Sequence, residues 1–356
     1  MKLQTLSDLI CPKIHNGKKC HKILDLHITK EKKDEILYGL LICTKCRTKY
    51  PIIQGIPILL SDIGKYLKDN FAIIKKSLNP KRKDNEDLFL YMSVVKRSAF
   101  QENQGTKIFD LPSTPKTTKF EGYKLLHYGD MLKTTHAPFM KDILKLHKKK
   151  NAYTIIKNWL EEKKLKDKKT IDVGCSFGRL TLLLAKKCSF SYGVDISFTD
   201  LLTASRIIKH VPNKLSRFKV KESGKSKTKT TNIIKSNNLD FILASADNLP
   251  FKDNLFEVSI NSNIVDIASK NVNILKEAGR TLEKKGELFV SFVPFFRRLE
   301  SEKKDKALTS SNIKKAIKSI TFYKEFKHIP FIMRNSENFY NLYNNCCMLG
   351  RKKTNN

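Results

Sequence analysis

From residue 170 onward, short apolar runs alternate with amphipathic ones, and the alternation predicts a strand–helix repeat. Residues 170–173 (TIDV) read as a strand, 174–178 as a glycine-containing loop and 180–187 as a helix. Residues 191–194 give a second strand and 199–210 a second helix. Runs 240–245 and 258–261 read as strands, 272–282 as a helix and 287–293 as a further strand. Strands and helices alternating at this length predict an α/β fold: a Rossmann-like, doubly wound, mainly parallel sheet spanning 151–356. An insertion at 214–237 is rich in Lys, Ser and Thr around Gly224, and its pattern suits a hairpin or an unstructured loop equally. Residues 153–160 (YTIIKNWL) have helical spacing and lead into this unit.

The region before it is different. Residues 1–62 read as a small β-rich module, with apolar runs at 36–43 and 50–60 punctuated by Pro51, Gly55 and Pro57. From 63 to 150 the pattern loosens. Charged and Asn/Pro-containing stretches at 79–87 and 112–119 predict helices joined by a polar connector, suited to cover a substrate.

Composition narrows the class. Hydrophobic residues make up 40% of the 356, ordinary for a globular chain. No stretch approaches the roughly 18 consecutive apolar residues of a membrane span, and the first residues lack a signal-peptide core. A soluble, cytoplasmic protein with no membrane partner is the expectation. The net charge of +34 attracts nucleic acid in principle. Only 11 of the 69 basic residues are arginine, however, and the lysines are spread along the chain with few aromatics between them. A lysine-, asparagine- and isoleucine-rich composition is also what AT-rich codons produce.

The eight cysteines fall into two groups. Cys175, Cys188, Cys346 and Cys347 are scattered, whereas Cys11, Cys20, Cys43 and Cys46 crowd the first 50 residues. Cys43-Thr-Lys-Cys46 is a CxxC knuckle that places two thiolates on one tetrahedral Zn²⁺. Cys11 and Cys20 supply the second pair if residues 14–18 (IHNGK) are a loop inserted into a tighter knuckle, and His15 or His21 are substitute ligands. Four protein ligands make such a zinc structural.

Residues 41–60, LICTKCRTKYPIIQGIPILL, preceded by SDLICP, resemble a zinc-ribbon family. That family includes the small activator subunit of tRNA methyltransferases. Its pattern is CPxC, then CxxC with a YPIxxGIPxLL tail. The resemblance covers residues 3–61, departs at the Cys11/Cys20 spacing, and implies that the ribbon can bind a protein partner.

The loop 170–179 (TIDVGCSFGR) joins a strand to a helix. Asp172 ends the strand, while Gly174 and Gly178 let the backbone turn tightly and approach a ligand at the helix N-terminus. Asp195 ends the next strand, where a carboxylate can accept both ribose hydroxyls. Asp247 follows the third strand in SADNLPF, placed to meet an adenine amino group. These three acids with LPF (249–251) resemble the class I S-adenosylmethionine-dependent methyltransferases over residues 150–295, in their small-molecule, ubiquinone-biosynthesis-like branch. The resemblance implies that residues 174–178 accommodate the methionine part of the cofactor, that Asp195 holds the ribose and that Asp247 approaches the adenine. It implies that Asp172 orients the loop or meets the cofactor's amino group, with Cys175, Ile196, Ala246, Asn248 and Asn261 completing the cofactor site. Ser176-Phe177 stands where Gly-Thr is usual. The family also closes its sheet with an antiparallel hairpin, expected here over 319–350 with Cys346 and Cys347 on the final strand, facing opposite sides.

The implied reaction is methyl transfer from S-adenosylmethionine to a small-molecule acceptor. An RNA methyltransferase is the alternative, since a bacterial rRNA guanine methyltransferase family fuses a four-ligand zinc module to the same domain. A cofactor-binding scaffold without turnover is the second alternative. The catalytic residues are unassigned: His127, His136 and His210 are candidate bases, but each reads first as a surface histidine. Glu257 and Asp266 read as surface or helix-start acids.

Overall fold

The structure is a computed structural model that describes residues 1–77, 125–132, 140–210, 216–222, 225–231, 233, 235–268, 271–294, 298–299, 306–334 and 339–354. His136, Gly224 and the stretches 79–87 and 112–119 lie outside the described residues, as does the side chain of His210.

The N-terminal part supplies the short hairpin β1 (Ile14–His15) and β2 (Lys18–Lys19). After it come β3 (Leu24–Lys32), β4 (Glu35–Cys43), β5 (Lys49–Ile53) and β6 (Ile56–Leu59). The remainder supplies β7 (Lys169–Val173), β8 (Phe190–Asp195), the hairpin β9 (Ser216–Glu222) and β10 (Lys225–Thr231), β11 (Leu239–Ala244), β12 (Phe256–Ser262) and β13 (Leu282–Phe292). A small pair follows, β14 (Arg298–Leu299) and β15 (Lys306–Ala307), and then the long hairpin β16 (Ile320–Arg334) and β17 (Tyr340–Lys352). The insertion is therefore a hairpin. No helix among the described residues is long and apolar enough to cross a membrane.

One 11-stranded sheet runs in the order β16-β17-β13-β12-β7-β8-β11-β6-β5-β4-β3. From β13 to β6 neighbouring strands pair in parallel, and the flanking pairs are antiparallel. The chain lays down β7, β8 and β11 in one direction, then returns to place β12 on the other side of β7. A ligand crevice opens at such a reversal, beyond the carboxyl ends of the strands. Helices pack on both faces, so the central strands are apolar throughout: all six residues of β11 are buried. The helix Ala152–Glu161 starts on a capping box between Asn151 and Thr154 and buries Ile156, Trp159 and Leu160. They join Leu184, Phe289 and Cys347 on one face of the sheet, whereas Cys346 packs in the larger core of the other face. The adjacent cysteines thus face opposite sides, as the strand period requires.

The N-terminal module is not a separate body. β6 pairs in parallel with β11, through Ile58↔Leu243 and Leu59↔Ala244, and carries the sheet on into β5, β4 and β3. The residues of β6 are buried on both faces, without alternation, which is the pattern of an interior strand. Without it, β11 would present an unpaired apolar edge to water. A buried polar seam reinforces the join. Asp240 on β11 accepts from the Lys2 backbone amide (2.7 Å), from the Thr5 hydroxyl and from Lys209 Nζ (2.9 Å). Lys209 also reaches Glu35 on β4. Asp8 accepts from Lys169 Nζ (2.7 Å) and from the Tyr192 hydroxyl (2.6 Å).

At the opposite end, β17 pairs with β13 only from Cys346 to Arg351. It stays paired with β16 out to Tyr340↔Arg334. The hairpin therefore projects beyond Phe292, past the carboxyl ends of the parallel strands.

Candidate functional site: a four-cysteine centre and a nucleotide-type crevice

The four N-terminal cysteines converge. Their sulfurs all lie within 4.8 Å of one another, with Cys11–Cys46 and Cys20–Cys43 each 3.6 Å apart. A tetrahedral zinc with bonds of about 2.3 Å needs sulfurs about 3.8 Å apart, so the cluster fits this ion. The eight residues between Cys11 and Cys20 are absorbed by the β1–β2 hairpin. Asn16 (φ 47°) and Gly17 (φ 75°) both take the left-handed conformation, the requirement of a two-residue type I′ turn. Cys20 N donates to Lys13 O at 2.8 Å and closes the loop. In the second knuckle Cys46 N donates to Cys43 Sγ (3.4 Å). His15 hydrogen-bonds to Cys46 and His21 lies outside the group, so neither histidine is needed as a ligand. Burial raises the Cys11 and Cys20 thiols, a cost that a bound cation reverses by taking the thiolates.

The second constellation lies at the carboxyl ends of β7, β8 and β11. Gly174 and Gly178 have φ of 77° and 74°. A Cβ on Gly178 would stand 2.7 Å from the Phe241 ring, so this turn admits only glycine. The Gly174 and Cys175 amides both donate to Val194 O, which pins the loop to the end of β8. Asp195 receives the Ser176 and Ser197 amides, each at 2.9 Å, one on each carboxylate oxygen. Burial raises its pKa against the pull of those amides. Beside it Ile196 is 53% exposed, an apolar side chain left open at the crevice. Across the crevice Asp247 accepts from Ser245 Oγ, and Ala246 packs on the core. Asn248 is buried, and its amide nitrogen donates away from the crevice to Pro12 O at 2.7 Å. Asn261 on β12 is fully buried, with its amide nitrogen on Ser259 Oγ (2.9 Å) and no partner for Oδ1. Cys175 is buried under the loop.

Asp172 is buried and accepts from Thr181 Oγ1 at 2.8 Å. Burial outweighs that bond and raises its pKa to about 7. The unfolded carboxyl ionises near 3.8, so between there and about 7 the folded chain keeps a proton the unfolded chain releases. Stability then falls as pH rises through that window, by up to about 4 kcal/mol in all. Asp172→Asn is expected to flatten the slope and to be the more stable protein at pH 8. Chemical denaturation of both proteins at pH 5 and pH 8 checks this, and parallel pH dependences would count against it.

The residues that cover the glycine loop come from the region with the loosest pattern. Tyr66, on the helix Ile63–Asp69, donates to Ile196 O at 3.0 Å. Tyr128 is buried and donates to Phe177 O at 2.8 Å. His127 lies edge-on to the Phe177 ring at 5.9 Å, and burial lowers its pKa to about 3, so its imidazole is neutral. Arg179 grips this segment through Asp130 (Nη2–Oδ2 2.6 Å) and the His127 carbonyl, with its guanidinium 4.1 Å over the Tyr153 ring. No spacing rule pointed to Tyr66 or Tyr128. Arg179 stood in the motif but carried no role.

Beyond β12 and β13, Asn263 Oδ1 accepts from Ser291 Oγ (3.0 Å) and from Asn345 Nδ2 (2.9 Å) of the projecting hairpin. Asp266 is not a surface acid. It is buried and accepts from Val293 N at 3.0 Å, tying the loop after β12 to the end of β13. Glu257 pairs with Lys168 at 3.2 Å on the surface, away from the crevice.

Residues 171–290 match the family model described as a methyltransferase domain. A search of curated proteins returned no match. Solved structures similar to this chain include an S-adenosylmethionine-dependent methyltransferase from Methanosarcina mazei, at 16% identity and a TM-score of 0.42, covering 58% of this chain and 100% of that one. The YcgJ protein of Bacillus subtilis aligns at 12% identity and a TM-score of 0.40, over 57% and 100%. The [4+2]-cyclase SpnF aligns at 14% and 0.40, over 57% and 83%. The domain match thus spans β7 to β13: residues 171–290 form a methyltransferase-type domain of Rossmann-like fold whose sheet is continued by a four-cysteine ribbon.

Proposed function

We propose that the protein transfers a methyl group from S-adenosylmethionine to a small-molecule acceptor bound beside the carboxyl ends of β12 and β13. The observation that carries the reading is that residues from outside the parallel sheet meet the crevice segments, Tyr66 at the Ile196 carbonyl after β8 and His127 and Tyr128 at Phe177 of the glycine loop. The bound cofactor supplies an electrophilic methyl group on a sulfonium sulfur. The chain's residues then have to seat it, exclude water and align the acceptor, and alignment of this kind accounts for much of a transfer rate. Asp195 holds the ribose hydroxyls, the turn at 174–178 takes the methionine part, Asp172 faces its amino group, and Ile196, Ala246 and Asp247 border the adenine. The backbone at Asn248 and the buried amide of Asn261 close the far side. Asn263 and Asn345 offer the acceptor uncharged hydrogen-bonding groups.

RNA is the second reading, favoured by the net charge of +34. Incubation with methyl-labelled S-adenosylmethionine and separated small-molecule and RNA fractions of a lysate tests both. Label in the small-molecule fraction is expected, and label confined to RNA would replace the first reading by the second. Asp195→Ala is expected to weaken cofactor binding by about 1–3 kcal/mol, the scale of hydrogen bonds to a charged group. Equilibrium dialysis against labelled cofactor measures the loss, and unchanged affinity in a folded variant would place the ribose elsewhere.

A further inference from the structure

The loop after β11, residues 245–252, is hydrogen-bonded to the metal knuckle as well as to its own domain. Asn248 Nδ2 donates to the carbonyl of Pro12, next to Cys11, in a buried bond of 2.7 Å. Ile10 N donates to Pro250 O (3.0 Å), Leu9 bridges Phe251, and Lys252 N donates to Asp8 O (3.1 Å). On the other side of the knuckle, Lys19, which precedes Cys20, meets Glu277 Oε1 at 2.6 Å. Glu277 Oε2 in turn accepts the Leu249 amide at 2.9 Å. Arg280 fixes the same stretch from below, through Leu249 O (2.9 Å) and Phe251 O (2.7 Å). Both halves of the Cys11/Cys20 hairpin therefore hold the segment that begins with Ser245, Ala246 and Asp247.

We propose that the four-cysteine centre positions the adenine-side loop through Asn248 and the Lys19–Glu277 pair, so that metal occupancy and cofactor affinity are thermodynamically coupled. The inference rests on the cofactor reading of the crevice. Without metal, the four thiols no longer fix the hairpin, and the loop loses the carbonyl and the ammonium that orient it. Coupling of this kind is reciprocal, so bound cofactor must tighten the metal by the same factor. Asn248 acts as a positioning residue, since its amide faces the ribbon rather than the crevice.

The probes are S-adenosylhomocysteine and zinc. Calorimetry on the wild type, zinc-loaded and chelator-stripped, is expected to give about tenfold weaker S-adenosylhomocysteine binding after stripping. Zinc competition against a chromophoric chelator is expected to show zinc held about tenfold more tightly at saturating S-adenosylhomocysteine. Zinc-loaded Asn248→Ala is expected to keep one zinc per chain and a normal circular dichroism spectrum. It should nevertheless bind S-adenosylhomocysteine several-fold more weakly, with a smaller effect on zinc. That variant decides the matter if the stripped wild type unfolds. Equal affinity in zinc-loaded Asn248→Ala and wild type would overturn the coupling while leaving the cofactor site intact. No binding by zinc-loaded wild type would instead remove the cofactor reading and the coupling with it.

Discussion

The double variant Cys43→Ser/Cys46→Ser is expected to lose its zinc and several kcal/mol of stability. Structural zinc contributes about 10–16 kcal/mol in small isolated modules, where binding and folding are one event. Here the consequence extends further, because the ribbon has no core of its own. Cys11, Cys43, Leu41, Tyr50 and Ile58 belong to the same buried cluster as Phe241, Leu243 and Phe251 of the methyltransferase sheet. Removing two thiolates leaves Cys11 and Cys20 without a cation, frees the β1–β2 hairpin and loosens β6 against β11. Metal analysis should fall from about one zinc per chain to none, with a thermal midpoint lower by about 10 °C or more. Equal zinc content and equal midpoints in the two proteins would mean that the cluster holds no structural metal.

Asp240→Ala is expected to cost about 3–5 kcal/mol, the scale for breaking a buried ion pair from one side. Asp240 is fully buried, and the Lys209 side chain is only 5% exposed. Removal of the carboxylate leaves Lys209 with Glu35 alone and strands the Lys2 amide and the Thr5 hydroxyl. Burial would raise the Asp240 carboxyl, but Lys209 prevails and holds it below the ordinary 3.8. The group therefore contributes stability above that value, and the contribution is lost as pH falls through the lower, folded one. Denaturation of wild type and Asp240→Ala at pH 7 measures the difference, and a loss below about 1 kcal/mol would mean that the seam is solvated rather than dry.

The parallel sheet was legible because each central strand is a continuous apolar run and each connection a helix or glycine turn. The loop at Gly174 and Gly178, the acids ending β7 and β8 and the CxxC knuckle were legible because their chemistry fixes residue type and spacing. The relation between the two modules was not. Residues 56–59 look the same whether they close a small ribbon or enter a larger sheet, since burial on both faces specifies no partner. Nor could periodicity place Tyr66 and Tyr128, because contacts from a loosely patterned segment depend on where the chain returns rather than on any repeat. The start of the final strand at Tyr340 carried no apolar signal, since its polar first half is held by pairing with β16 and not by burial. Asn248 illustrates the same limit: its place in the motif was readable, but the direction of its amide, toward Pro12, required the ribbon to be in position.

The central claim is that the crevice at the ends of β7, β8 and β11 is a cofactor seat. Calorimetric titration of S-adenosylmethionine into the zinc-loaded 356-residue chain tests it most directly. The account predicts saturable binding at one site per chain, weakened by about 1–3 kcal/mol in Asp195→Ala. A folded, zinc-loaded wild type that takes up no S-adenosylmethionine would contradict it.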